Sequence, residues 1–319
     1  QGHKEKRLYK NDGKRIQIQK VKNINPYLVE GSDSVVFPRS LPLCDAEPMV
    51  YGNYYSKSAG LILNRAELES LLSKEPHSKQ YVKKLMGSDE FIHGKQRWCL
   101  WLVDLNTKDL ANHPVIQKRV ESVRQDRLNT SDKAMNAIAS TPHIFRDTRN
   151  PDRYLLIPIV SSERREYIPI GYLDKDTIAT NKAFMLPNAS LYTFGIICSS
   201  THMDWMRTTC GRLESRYSYS NKIVYNNFPW PEATEKSKAV ISGLAEEILL
   251  TRADYPDKTL AQLYDPEEMP QALRIAHKNL DLAVEKLYRD KPFEDESERV
   301  AFLFKRYEQL INTKEGDNA

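Results

Sequence analysis

A chain of 319 residues with 40% hydrophobic, 28% charged and 9% aromatic side chains has apolar mass for two ordinary domains and lies outside the disulfide mini-proteins, collagens and disordered chains. No stretch approaches the roughly 18 apolar residues of a spanning helix and no charged-then-apolar leader opens the chain, so the expectation is a cytoplasmic protein with no membrane partner. The net charge of +4 hides a division: residues 231–319 hold 13 basic and 19 acidic side chains, and the remainder is net +10, the footprint of a surface that meets phosphates.

The first 22 residues hold eight Lys or Arg and two acids, place a turn signal at Asn11-Asp12-Gly13 and end in alternating Ile16 and Ile18, which is a hairpin pattern. Gln1 is not a translational start, so the chain is expected to be a piece of a longer polypeptide, with residues 1–22 a remnant or linker of what precedes it. Over 25–58, Pro26, Gly31, Pro38, Pro42, Pro48 and Gly52 disfavour long helices and predict short strands and turns. Asn64 followed by Glu67 forms a capping-box pair ahead of Leu68, Leu71 and Leu72 and predicts a helix start. A second short helix is predicted over 78–86, stopped by Gly87 in the left-handed region. His93-Gly94 then turns the chain into the continuous apolar run 98–103, a buried strand.

Over 115–128, Val115, Ile116, Val120, Val123 and Leu128 fall near one helical face and Lys118, Arg119, Arg124 and Arg127 largely on the others, a basic amphipathic helix. Residues 154–160 and 167–173 read as two strands around a hairpin whose tip carries Arg164 and Arg165. A helix over 203–210 should end at Gly211, and 212–220 then alternates with period two and leads into Ile223-Val224-Tyr225. Phe228-Pro229-Trp230-Pro231 closes the segment. Beyond it, stripes through Val240, Ile241, Leu244, Ile248 and Leu249, through Leu273, Ala276, Leu280, Val284 and Leu287, and through Val300, Leu303, Phe304, Tyr307, Leu310 and Ile311 predict a three-helix cap. The expected architecture is α+β: mixed small sheets with helices over 23–231, then a C-terminal helical domain over 232–319.

Several chemistries lack their residue patterns. There is no GxGxxG, GxxxxGK[ST] or GxSxG; Cys44, Cys99, Cys198 and Cys210 stand apart without a CxxC pair and read as reduced thiols; the seven histidines are isolated. Asp152 with Glu163-Arg164-Arg165 echoes the acidic metal-binding core of nucleases, although an Arg stands where a Lys is usual, and it keeps a small metal-dependent nuclease as one alternative. A protein-interaction scaffold built on the helical stripes is another. Asn25-Pro26-Tyr27 is similar to the Asn-Pro-Pro-Tyr turn with which amino-methyltransferases hold a flipped base, but it lacks one proline and an upstream cofactor loop, so a structural turn is the simpler reading.

The positive signal lies over 201–231. In an extended strand Arg212, Glu214, Arg216, Ser218 and Ser220 share one face. A solvated strand gives the same alternation. Glu and Arg two residues apart, however, supply an acceptor for cytosine N4 and a fork for guanine O6 and N7, the two halves of a C·G pair in the major groove, and Lys182 could add a donor. Phosphate anchoring is expected of Arg164, Arg165, Arg212 and Lys222.

His202-Met-Asp-Trp-Met206, Gly211-Arg-Leu-Glu-Ser-Arg-Tyr-Ser-Tyr-Ser220 and Val224-Tyr-Asn-Asn-Phe-Pro-Trp-Pro231 resemble the closing half of the target-recognition domain in the MmeI-like family of bacterial DNA adenine methyltransferases, often fused restriction-modification enzymes. The motifs Asn23-Ile-Asn-Pro-Tyr-Leu28, Arg97-Trp-Cys-Leu-Trp-Leu102 and Leu260-Ala-Gln-Leu-Tyr-Asp265 extend the similarity across nearly the whole chain. The resemblance implies double-stranded DNA as partner, an upstream methyltransferase domain of the same polypeptide, and S-adenosylmethionine in that parent enzyme, with neither cofactor nor catalytic residue in this piece. It implies base readout by Glu214 and Arg216 at a C·G pair beside the methylated adenine, and by Lys182 and Ser218 at the position before that adenine, favouring guanine. One departure stands out: relatives carry Gly-Asn followed by a Pro and an Asp-Gly-Gly, where this chain has Gly52-Asn53-Tyr-Tyr-Ser-Lys-Ser-Ala-Gly60.

Overall fold

The computed structural model describes residues 6–11, 16–106 and 108–316. Strands β1 (Lys6–Asn11) and β2 (Ile16–Val21) pair antiparallel from Lys6↔Val21 to Asn11↔Ile16, as the alternation predicts; the expected turn at Asp12-Gly13 lies outside the described residues. Asn25 is buried, and its Oδ1 accepts from the amides of Tyr27 (2.9 Å) and Val29 (3.2 Å), so Asn25-Pro26-Tyr27 is a structural turn. After β3 (Val50–Tyr51) and β4 (Ile62–Leu63), helix α1 (Arg65–Lys74) opens on the expected capping box, with Asn64 and Glu67 exchanging amide bonds of 2.9 Å.

The helix expected over 78–86 is not formed. Pro76–Tyr81 is a 3-10 turn, and β5 (Val82–Met86) is a strand whose backbone pairs antiparallel with Trp98–Leu100 and parallel with Thr177–Ala179. Hydrogen bonds on both sides of the strand outweigh a weak local helix pattern. Gly87, at φ −114°, precedes α2 (Ser88–His93) as its N-cap, and the left-handed stop is Gly94 at φ 66°. The run beginning at Trp98 is a strand as expected, β6 (Trp98–Leu100). In α3 (Pro114–Leu128), Ile116, Val120 and Val123 are buried as expected, but so is Arg127, whose guanidinium donates to Ser58 Oγ (2.8 Å) and to the carbonyls of Ile144 (2.7 Å) and Thr141 (2.9 Å). A short α4 (Lys133–Ala137), capped by Asp132, follows.

Strand β7 (Arg153–Pro158) is central and is buried on both faces: Leu155 and Ile157 join the large core, while Tyr154 and Leu156 join a smaller cluster with Ala183 and Met185. This double burial is why it reads as a continuous apolar run. With β8 (Val160–Ser161), β9 (Gly171–Asp174), β10 (Thr177–Ala179) and β11 (Ala183–Pro187), two four-stranded sheets are complete, ordered β3–β11–β7–β9 and β10–β5–β6–β4. Tyr154↔Leu173 confirms the pairing of 154–160 with 167–173, although residues 167–170 stay outside the ladder.

Helices α5 (Leu191–Cys198) and α6 (Ser200–Thr209) lead into β12 (Gly211–Leu213) and β13 (Arg216–Ser218), which form a third sheet with β8. Asn221–Tyr225 is a π-helical turn rather than a continuation of strand, because Trp205 Nε1 donates to the Val224 carbonyl (3.0 Å) and Val224 and Tyr225 are drawn into the core. The C-terminal helices α7 (Glu235–Ala253), α8 (Leu260–Leu263), α9 (Gln271–Glu285) and α10 (Glu296–Gly316) do not close a core of their own. They form a layer over α5 and α6. A Cβ on Gly195 of α5 would lie 2.7 Å from Ile241 Cγ2, and Phe304 and Tyr307 of α10 pack on Trp205 at ring-centroid distances of 5.1 and 5.6 Å. One hydrophobic core runs through both parts of the chain.

Candidate nucleic-acid interface

The strand expected over 212–220 is a tight hairpin. Gly211↔Ser218, Arg212↔Tyr217 and Leu213↔Arg216 face each other, leaving Glu214 and Ser215 as a two-residue loop. Such loops need positive φ for the twist of the strands to match, and Glu214 supplies it at 58° without being glycine. Residues directly opposite in an antiparallel pair share a face. Arg216 and Ser218 therefore lie on one face, as expected, whereas Arg212 lies on the other with Tyr217, its guanidinium 4.2 Å from the ring centroid. The common face expected for Arg212, Glu214, Arg216 and Ser218 does not exist, because the turn reverses the chain at Glu214.

At the tip, Arg216 Nη2 donates to Glu214 Oε2 at 2.9 Å, with the two side chains 45% and 78% exposed. The acid and the fork are thus held side by side in solvent. An exposed pair of this kind has a net worth near zero, so its partners are available for exchange.

Lys182 sits in the loop between β10 and β11, exposed, and among the described residues no carboxylate pairs with it. Ser88, at the start of α2, ties that loop to the hairpin: its hydroxyl donates to the Lys182 carbonyl and accepts the Ile159 amide (3.0 Å), and the Ile159 carbonyl in turn accepts from the Tyr219 amide (2.8 Å). The bridging role of Ser88 has no sequence signal beyond the helix start that Glu90 marks. Arg165 and Arg216 line one groove of about 390 Å³, floored by Ser88 and Ser161. Arg165 is partly withdrawn and burial lowers its pKa, while Arg164 reaches across to Glu267 (2.8 Å). Lys222 is exposed on the π-helical turn. The structure therefore gathers Lys182, Arg165, Arg216 and Ser218 around one sheet end, turns Arg212 to the flank, and leaves Lys222 on a separate element.

The nuclease-like echo dissolves in three dimensions. Asp152 is exposed and pairs with Lys175 (3.2 Å), the Glu163 carboxylate is held low by bonds from its own amide and from Ser215, and no group of three His, Cys, Asp or Glu among the described residues could hold a metal. No disulfide joins the four cysteines; the buried thiols of Cys99 and Cys198 are pushed up to about 12 by desolvation. His202 and His277 are structural, each buried and bonded through Nε2 to a tyrosine hydroxyl at 2.9 Å, with pKa lowered by burial. No helix among the described residues is long and apolar enough to cross a membrane.

Behind the hairpin lies a second charged cluster. Arg299 of α10 contacts Asp204 of α6 and donates to Glu285 of α9 (2.9 Å from Nε), and the other Asp204 oxygen takes Arg207. Arg207 also donates to the Glu166 carbonyl, and its own carbonyl accepts from Arg212 (3.5 Å), so the cluster reaches the base of the hairpin. Next to it Asp281 accepts from the Ser200 amide and the Tyr167 hydroxyl, both at 2.7 Å, and burial pushes its carboxyl up to about 6.

Comparison with known proteins agrees over nearly the full length. Residues 30–232 match the MmeI target recognition domain and residues 233–314 the MmeI C-terminal domain. DNA methyltransferase A of Bacillus subtilis (strain 168) is 38% identical over 306 residues, covering 96% of this chain and 34% of that protein. The type IIL restriction-modification enzyme MmeI, solved in complex with DNA, is 39% identical with a TM-score of 0.89, over 97% of this chain and 42% of its own. The chain thus spans about a third of the first relative and about two-fifths of the second.

Proposed function

The chain belongs to the MmeI family, and from that premise we propose that it is the sequence-reading module of an adenine-specific DNA methyltransferase of the restriction-modification type, borne by a longer polypeptide whose methyltransferase domain lies upstream. Its partner is double-stranded DNA, and this reading puts it in the cytoplasm. The observation that carries the assignment is the exposed hairpin tip, where Glu214 and Arg216 lie 2.9 Å apart on a scaffold of DNA-reading type. Presented to the major groove, the carboxylate accepts from cytosine N4 and the guanidinium donates to guanine O6 and N7. Lys182 and Ser218 read the neighbouring position, where an ammonium beside a short hydroxyl favours guanine. Arg164, Arg165, Arg212 and Lys222 neutralise phosphates and fix the register.

The methyl donor that this family implies is S-adenosylmethionine, and this reading places its site in the parent's upstream methyltransferase domain. The sequence carries no GxGxxG or GxxxxGK[ST] loop, and the full-length relatives extend well beyond this chain, which covers 34% and 42% of them. Donor binding and transfer to a target adenine swung out of the helix belong to the parent's other domain.

The test is competition binding across duplexes differing at single base pairs. Exchanging the charges with Glu214→Lys and Arg216→Asp is expected to abolish the preference for C·G at one position, worth about 1–3 kcal/mol per bidentate contact, while low-salt affinity for duplex persists. An unchanged preference refutes the assignment of these two residues.

A further inference from the structure

The end of the central sheet that carries Lys182 also carries a cationic feature outside the base-reading set. Because β3 and β7 both run antiparallel to β11, the C-terminal ends of β3 and β7 and the N-terminal end of β11 lie together. From β7 the chain passes to β8 and its pairing with the hairpin; from the start of β11 projects Lys182; from β3 the chain enters the segment where this sequence departs from its relatives' pattern. That segment is firmly held. A Cβ on Gly52 would lie 2.2 Å from the Thr180 carbonyl oxygen, so only glycine fits there. The Asn53 side chain donates to the Arg149 carbonyl (2.9 Å) and accepts the Arg149 amide (2.7 Å), while the Asn53 carbonyl accepts the Asn181 amide (2.9 Å), one residue before Lys182.

Two arginines are mounted on this frame. The Arg146 guanidinium lies over the Tyr54 ring at 4.2 Å from its centroid, and Arg149 donates toward the Tyr51 carbonyl (3.5 Å). Asp147, largely buried, holds both: it lies 3.5 Å from Arg146 and 3.3 Å from Arg149 and accepts the Tyr54 amide (3.1 Å). Both guanidiniums remain nearly half exposed. One carboxylate among the described residues serves two cations, so a positive charge is left over, and stacking on Tyr54 orders a planar fork while leaving its edge open.

We propose that Arg146 and Arg149, positioned by Tyr54, Asn53 and Asp147, form a further phosphate clamp that grips the DNA backbone beside the bases read by Lys182 and the hairpin. The proposal rests on the DNA-reading assignment above. Asn53, which holds Arg149 through its side chain, also holds the residue before Lys182 through its carbonyl, so the clamp and Lys182 are fixed to one frame. A guanidinium pair in this setting fits the non-bridging oxygens of a phosphodiester, a contact that orders the complex without reading sequence.

The purified chain carrying Arg146→Gln with Arg149→Gln is to be compared with the unaltered chain by duplex binding over a salt series. The expected result is a plot of log affinity against log salt shallower by about 1–2, each phosphate contact contributing roughly 0.9 to the slope, with the ranking of duplexes unchanged. The pair Arg146→Lys with Arg149→Lys, which keeps the charge, is expected to restore most of the slope. A slope equal to that of the unaltered chain in the Gln variant, or a Lys variant with a slope as shallow as the Gln variant's, overturns the clamp. Its failure is separable from failure of the base-reading assignment: the Glu214 and Arg216 exchange alters the ranking, the clamp variants alter the slope, and absence of any duplex binding by the unaltered chain refutes both.

Discussion

The hairpin tip and the junction between α6, α9 and α10 are built from the same residue types, acid against arginine, and differ in water. Glu214 and Arg216 meet in solvent, where their attraction is largely cancelled by hydration and either can trade its partner for a base edge. Asp204, Glu285 and Arg299 meet in the interior, with Asp204 only 3% exposed, where removing one partner strands the others in a medium that solvates them poorly. The same chemistry is exchangeable at the surface and structural inside.

The sharpest break in that comparison is Arg299→Met. It leaves Glu285 buried without its cation and Asp204 with Arg207 alone, and is expected to cost about 3–5 kcal/mol of stability in denaturant titration, whereas Arg216→Met at the tip should shift the midpoint hardly at all. Equal losses at both sites would erase the distinction.

The pH dependence sharpens it further. Burial pushes the Asp281 carboxyl up to about 6 in the folded chain, against about 4 when unfolded, with the Ser200 amide, the Tyr167 hydroxyl and Arg299 opposing the rise and Glu166 adding to it. The native state therefore holds this proton more tightly, so the group's contribution to stability is full below about pH 4 and is lost as pH rises through 6. Asp281→Asn is expected to flatten that segment of the stability profile, and an unchanged profile would assign the slope to other groups. Thermal melts at steps between pH 4 and 7.5 would decide.

The smallest effect belongs to the tip itself. Glu214→Gly relieves the positive φ and gives up only an exposed ion pair, so a gain of up to about 1 kcal/mol is expected. Discrimination at the C·G pair should fall in the same variant, measured by the competition assay. A loss of stability would show that the side chain supports the turn.

Much of this organisation was legible in the chain itself, wherever the signal is local. The Asn64–Glu67 capping box and the stripes of α3, α9 and α10 appear where periodicity and capping place them. So do the Glu and Arg that meet at the tip, though not the turn that brings them together. The helix expected over 78–86 failed because β6 and β10 claim that backbone from both sides, and β10 partners more than 90 positions away leave no mark on a local pattern. Arg127, read as part of a basic face, is buried because Ser58 and the carbonyls of Lys57, Ile138, Thr141 and Ile144 converge on it.

The sequence by itself determined the charge division, the motifs that tie the chain to its family, and which side chains offer the donor and acceptor types that base reading would need, because composition and short spacings are properties of the covalent chain. Only the tertiary structure decided that the second part shares the first part's core, that Arg212 turns from the face of Arg216, and that Lys182, Tyr54 and the hairpin gather at one sheet end. Those outcomes depend on which distant backbones pair and which buried volumes fill, and neither is fixed until the whole chain has closed on itself.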